Sequence, residues 1–467
     1  MNRKPPWGDS GSRRLSRRSL LGTLGAVGVA GALAGCSSGG RDAVRETETP
    51  TRTGTDGQGP GPGPDDGPTN YFEQGPTVGR EAVATGLVSP NALVAADGRR
   101  FVLDQTGQVY VLGDDGVEST PFLDLSERMV ALGEGLPNWI AYDERGLLGL
   151  AFHPDFATNR KLYVRYSAPT DDPDLDHREI LSEFTATPDR SGVDRSTERV
   201  LLDLPWPRPI HQSGTIEFGP DGYLYGAFGD GLNPFNGQDI DNLKGCIVRI
   251  DVDGRTGDLP YGIPDDNPLV GQTGRDELYA WGLRNPWKMA FSGDRLVVGD
   301  VGQATWEEVN VIEKGANYGW PLKEGFHCHD PQLGTISGGE CVTESERGEP
   351  LVDPKLEFPH FDEAGDAVGF AVIGGHVHTG DIDAIRDDYL FGIFTSSFTS
   401  AAGRLIAATP QDSGRWPTRE VRVEGGLDIQ VLSLGQADGE SYVLGTRASL
   451  AEDPLSKEDG VVYRLTS

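Results

Sequence analysis

Short runs of β-branched and aromatic residues, each closed by a turn signal, recur along residues 71–467, and this repetition limits the fold more tightly than any single motif. RRFVLDQTGQVYVLG (99–113), RKLYVRYSA (160–168), DGYLYGAFGDG (221–231), GCIVRIDVDG (245–254), DRLVVGDVG (294–302), DDYLFGIF (387–394), ESYVLGT (440–446) and DGVVYRL (459–465) follow the pattern. Many are preceded by Asp-Gly or Gly-Asp turn pairs, so hairpins are expected along the whole length. No amphipathic helical stretch competes with them, and 65 glycines and 32 prolines favour turns over long helices. The reading is all-β. Repeated four-stranded antiparallel units predict a six-bladed β-propeller of about 65 residues a blade, because blades set around a channel leave few exposed sheet edges. A tandem of β-sandwiches is the weaker alternative, since no linker-like change of composition interrupts 71–467. The last strand, GVVYRL (460–465), is expected to pair with an early strand and close the ring.

The first 70 residues belong to other categories. Residues 1–36 hold six basic side chains and one acidic, with the twin-arginine run Ser16, Arg17, Arg18, Ser19, Leu20, Leu21 ahead of an apolar stretch ending Leu33, Ala34, Gly35, Cys36. That order reads as a Tat-type export signal with a lipobox, Cys36 being the residue to be lipidated. The apolar stretch is about 16 residues and rich in Gly and Ala, short for a permanent span; an uncleaved anchor would leave the chain on the same outer membrane face. Residues 37–70, with GPGPGPDDGP at 59–68, carry almost no large apolar side chain and read as a disordered tether. Export by the Tat route and a lipid anchor on the outer face of the cell membrane are therefore expected, with residues 71–467 as the folded part.

Composition narrows the function. The formal charge is −31, and without residues 1–36, which carry six basic side chains and one acidic, the rest stands at −36. Such a surface repels phosphate backbones, so nucleic acid is not an expected partner. Eight lysines against 33 arginines among so many carboxylates suit solubility in high salt, and the chain reads as halophilic; an ordinary acidic secreted protein is the plainer reading. Beyond Cys36 the cysteines are Cys246, Cys328 and Cys341. The last two lie in one Gly-rich loop region outside the cytoplasm, where a local disulfide is plausible. Cys246 reads as a small core residue. Zinc is not expected, because no paired CxxC spacing exists.

Five segments, ERGLLGLAFHPDF (144–156), HQSGTIEFGPDGYLYGAFGDG (211–231), LKGCIVRIDVDG (243–254), YAWGLRNPWKMAF (279–291) and GDVGQATWEEVNVIEKGANYGWP (299–321), together resemble the glucose/sorbosone dehydrogenase family of quinoproteins. That family's six-bladed propellers hold pyrroloquinoline quinone (PQQ) and calcium at the channel mouth. The resemblance implies that His211 is the general base taking the proton from a sugar C1 hydroxyl, a role suited to imidazole chemistry near neutral pH. It puts Glu144, Arg284 and Asn285 with His211 on the cofactor side, the guanidinium stabilising negative charge that develops as hydride arrives. The backbone carbonyls of Gly302 and Gln303 would bind the cofactor's calcium, and Glu307, Glu308 and Tyr318 would serve a second calcium. Read from the residues alone, His211 could equally bond a loop carbonyl, Arg284 could tie two blades together, and Asn317, Gly319 and Trp320 could be a tight turn with a packed aromatic.

The chain also departs from the family's pattern. His211 is followed by Gln212, Ser213, Gly214 rather than HNG, and Val301 stands where a hydrogen-bonding side chain precedes the calcium-binding glycine. The late lysine and the close arginine pair that would meet the cofactor's carboxylates are not evident in 389–397 and 425–435, which leaves Arg404 or Arg422 as substitutes. GDVGQATWEEVN with the Cys328 and Cys341 loop looks closer to the branch with Hedgehog-interacting-protein-like ectodomains, where the propeller serves binding. Two readings result. One is a PQQ- and calcium-dependent dehydrogenase oxidising an aldose or related sugar at C1, passing electrons to a separate acceptor since no CxxCH haem motif is present. The other is a non-catalytic, calcium-braced propeller binding extracellular glycan or protein. A lactonase-type hydrolase trails, for want of convergent calcium ligands.

Overall fold

The computed structural model describes residues 71–467 apart from Trp139 and Asp453, with only the backbone at Pro454. The twin-arginine run, Cys36 and the tether fall outside the described residues. Within them lie six blades of antiparallel strands, the sixth completed by the N-terminal strand, and the single α-helix among the described residues is the short turn Phe156–Asn159. Their innermost strands are Pro90–Ala96 (blade 1), Leu147–Phe152 (blade 2), Ile216–Phe218 (blade 3), Pro286–Ser292 (blade 4), Phe370–Val377 (blade 5) and Gln430–Ala437 (blade 6). Each touches the innermost strand of the next blade and the sixth touches the first, so the blades form a closed ring around a channel.

The ring closes through the N-terminal strand. Glu73–Leu87 pairs antiparallel with the last strand, Gly460–Thr466, in the register Gly79↔Thr466 through Leu87↔Gly460. Its first residues run parallel to Thr418–Val423, the outer strand of blade 5, so the sheets of blades 5 and 6 are continuous. One strand thereby covers two sheet edges.

Six hydrophobic clusters fill the six gaps between blades. Phe101, Phe122, Phe152 and Phe184 pack between blades 1 and 2, and Tyr163, Trp206, Phe228 and Trp281 between blades 2 and 3, with Cys246 a buried free thiol in the same layer. The remaining clusters continue round to Tyr442 and Leu444 of blade 6 against Leu93 and Val102 of blade 1. Inner and middle strands are therefore buried on both faces, and their sequences read as near-continuous apolar runs.

Blade 4 carries an insertion between its third strand, Trp306–Ile312, and its outer strand, Leu356–Pro359. It holds a small three-stranded sheet, Lys323–Glu324, His327–Asp330 and Thr335–Ile336, and the Cys328–Cys341 disulfide, Cα atoms 4.9 Å apart.

Candidate active site

In each meander the start of the innermost strand and the end of the second strand meet at the same rim of the channel. Glu144, His211 and Arg284 precede the innermost strands of blades 2, 3 and 4, while Asp230 and Asp300 end or follow the second strands of blades 3 and 4. Residues far apart in sequence are thus brought onto one mouth.

His211 is 5 % exposed and has φ +59°, in the left-handed region that side chains rarely adopt. Its backbone N–H donates to Glu144 Oε2 at 2.8 Å, and its Nδ1 lies 2.6 Å from Asp230 Oδ1. Arg284 Nη2 lies 3.1 Å from the other ring nitrogen, Nε2. A guanidinium can only donate, so Nε2 is the acceptor and Nδ1 carries the proton given to Asp230. Gly229 makes this approach possible, because a Cβ there would stand 2.2 Å from the His211 carbonyl oxygen. Burial alone would raise the Asp230 pKa, but His211 and Arg284 beside it hold the carboxyl below the usual range. Trp320 Nε1 donates to its second oxygen at 2.9 Å.

Arg284 is anchored at both ends. Its backbone N–H and that of Asn285 donate to Asp300, while Nη1 donates to the Val301 and Gly302 carbonyls at 2.8 and 2.7 Å. The Asn285 amide donates to Glu144 Oε2 at 3.2 Å and accepts from Ser213 Oγ at 3.0 Å. The cluster His211, Glu144, Arg284 and Asn285 is therefore one hydrogen-bonded unit. Arg284 Nε in this cluster, and both amide atoms of the fully buried Gln212 next to His211 in sequence, lack partners among the described residues.

The residues assigned to calcium are arranged differently. The Gly302 carbonyl accepts from the guanidinium, and the Gln303 N–H donates to Glu324. Glu307 and Glu308 are neighbours on one strand and point to opposite faces. Glu307 is fully used, accepting from the N–H groups of Gly302, Ala371 and Val372 and from His360 Nε2 at 2.8 Å. Glu308 accepts from Gly325 and Asn310; burial and the nearby Asp300 carboxylate push its pKa upward. Tyr318 donates to the Val311 carbonyl and accepts from the Glu313 N–H, in the core between blades 3 and 4. Among the described residues no three His, Cys, Asp or Glu side chains gather as a metal would require. With the Gly302 carbonyl taken by Arg284 and both Glu307 oxygens by protein donors, these residues as placed do not fit a calcium ion.

The proposed substitute cations are also placed elsewhere. Arg404 lies on the third strand of blade 5, bonded to Glu420 and the Val368 carbonyl, and Arg422 is exposed on that blade's outer strand.

Asp230, Asp300 and Glu324 escaped the sequence reading. Glu324 Oε1 accepts from the four consecutive N–H groups of residues 303–306 and so shapes the loop that presents Gly302. Asp230 had a signal, a GDG after a strand in the same segment as His211. Glu324 had none, since its partner loop lies 20 residues away on the other side of the strand Trp306–Ile312.

The class is thus a β-propeller with a carboxylate-oriented histidine and a buried arginine at its channel mouth. The chain belongs to the glucose/sorbosone dehydrogenase family, whose model matches residues 87–358. Over 401 residues it is 35 % identical to the Hedgehog-interacting protein of Homo sapiens, covering 82 % of this chain and 52 % of that one. The HIPL1 protein of Arabidopsis thaliana is 29 % identical over 432 residues, 79 % of this chain and 58 % of its own. The chain thus spans about half the length of the curated relatives it matches. Among solved structures it is similar in fold to the PQQ-bound form of an aldose sugar dehydrogenase from Streptomyces coelicolor, TM-score 0.60, 20 % identity, 84 % of this chain and 98 % of that one.

Proposed function

We propose that this protein is a PQQ-dependent dehydrogenase that oxidises an aldose or related sugar at C1, outside the cytoplasm. The observation that carries the reading is the tautomer of His211: Nδ1–H is committed to Asp230, which leaves the Nε2 lone pair facing a lone arginine donor. A sugar hydroxyl that replaces that donor would lose its proton to Nε2, and Asp230 would stabilise the imidazolium formed. Arg284 then stands beside the reacting centre as a fixed positive charge. The unpartnered Arg284 Nε and Gln212 amide, with Asn285, are polar capacity that suits the quinone end of the cofactor, whose chemistry is to accept the hydride from C1. The expected export signal and lipid anchor would put the enzyme beside membrane electron carriers, with a separate acceptor.

A second reading, a propeller that binds extracellular glycan or protein, is favoured by one observation. Arg404, one of the two arginines expected to substitute for the family's late cations, is already engaged with Glu420. The deciding experiment adds PQQ to the purified protein and follows its absorbance before and after aldoses. Stoichiometric binding with sugar-dependent reduction, lost in His211→Ala, supports the dehydrogenase. No binding at micromolar cofactor overturns it in favour of the binding propeller.

A further inference from the structure

The channel interior is a separate feature from the mouth. A cavity of about 400 Å³ is lined by the innermost strands of all six blades, and its ionisable side chains are Glu217, Lys288 and His376. Lys288, on blade 4, is 8 % exposed, yet among the described residues no hydrogen-bond acceptor or carboxylate meets its ammonium, which lies 6.0 Å from the Trp287 ring centroid. Its path is cleared by Gly374 of blade 5, where a Cβ would stand 2.7 Å from the Lys288 carbonyl oxygen and 3.2 Å from its Cβ. Two residues on, His376 is buried with Nδ1 unpartnered, its Nε2 lying 2.8 Å from Ser441 Oγ.

An ammonium that faces an enclosed channel without a counter-charge is neutralised in one of two ways, by losing its proton or by an anion from outside the chain. Glu217 does not form an ion pair with it; its carboxylate accepts the Phe291 N–H at 3.4 Å, and burial pushes its pKa up to about 8, so at neutral pH it is mainly uncharged. Burial pulls His376 down to about 3, which leaves it neutral as well. Among the described residues that line the cavity, Lys288 is the one lysine or arginine, in a chain of formal charge −31.

We infer that the central channel is a binding site for a small inorganic anion of halide type, held against Lys288 Nζ. The site is independent of the dehydrogenase reading and concerns neither His211 nor Arg284. Burial alone lowers the Lys288 pKa to about 7, so the anion should bind more tightly at pH 6 than at pH 9, where the amine is neutral.

Bromide is the probe. Crystals grown without halide and soaked in sodium bromide should show an anomalous peak beside Lys288 Nζ, retained in Lys288→Arg and absent in Lys288→Gln. In solution, replacing methanesulfonate by bromide at constant ionic strength should raise the unfolding midpoint at pH 6 by more than at pH 9, and should not do so in Lys288→Gln. No channel peak, or the same peak in Lys288→Gln, overturns the inference. If Lys288→Gln does not fold, a wild-type midpoint that ignores bromide at pH 6 overturns it equally.

Discussion

At the scale of single residues, His211 and Asp230 act as a pair. His211→Ala should lower kcat/KM by roughly 10²–10⁴-fold, the usual worth of a positioned general base, with folding kept. Asp230→Asn should lower kcat more than KM, because an amide that accepts poorly no longer selects the Nδ1–H tautomer. Steady-state kinetics on both variants separate this from a folding defect. His360 supplies a pH signature of its own. Burial would lower its pKa, but Glu307 at 2.8 Å raises it. A histidine raised on folding contributes stability that is whole below its unfolded pKa, about 6.5, and is lost as pH rises through the folded value. The unfolding free energy of the wild type should therefore fall from pH 6 to pH 8 relative to His360→Gln; equal slopes would rule the linkage out.

At the scale of elements, the blade 4 insertion supports the site from outside. It delivers Trp320 to Asp230 and Glu324 to the loop 303–306. Removing Glu324 by Glu324→Ala strips four N–H groups of their acceptor, which should cost about 1–3 kcal/mol locally and speed amide exchange at 303–306 while the blades stay protected. Serine at both Cys328 and Cys341 should loosen residues 322–342 in the same assay, leaving exchange in blades 1 and 2 unchanged. Strand existence was legible in advance from alternation and turn pairs. The insertion's small sheet was not, because two-residue strands carry no periodicity.

At the scale of the whole molecule, stability rests on closure. Deleting residues 71–87 would uncover the edges of both Thr418–Val423 and Gly460–Thr466, and the truncated chain should unfold at lower temperature and aggregate through those edges, as size-exclusion chromatography would show. The sequence by itself determined the all-β architecture, the six-fold repetition, the closing role of the last strand and the segment in which His211 sits, because turn chemistry and apolar alternation are local properties. It also carried the identity of Arg284 and Asn285, which stand in one contiguous motif. Only the tertiary structure decided what those residues touch. Asp230 meets His211 because two strands of one blade end at the same rim, and Arg284 takes the Gly302 carbonyl that sequence resemblance gave to calcium. Arg404, at the start of a third strand, is held by Glu420 and by the Val368 carbonyl. Such facts depend on which strand of a blade a residue occupies and which way its pleat faces, and those are set by ring closure across hundreds of residues.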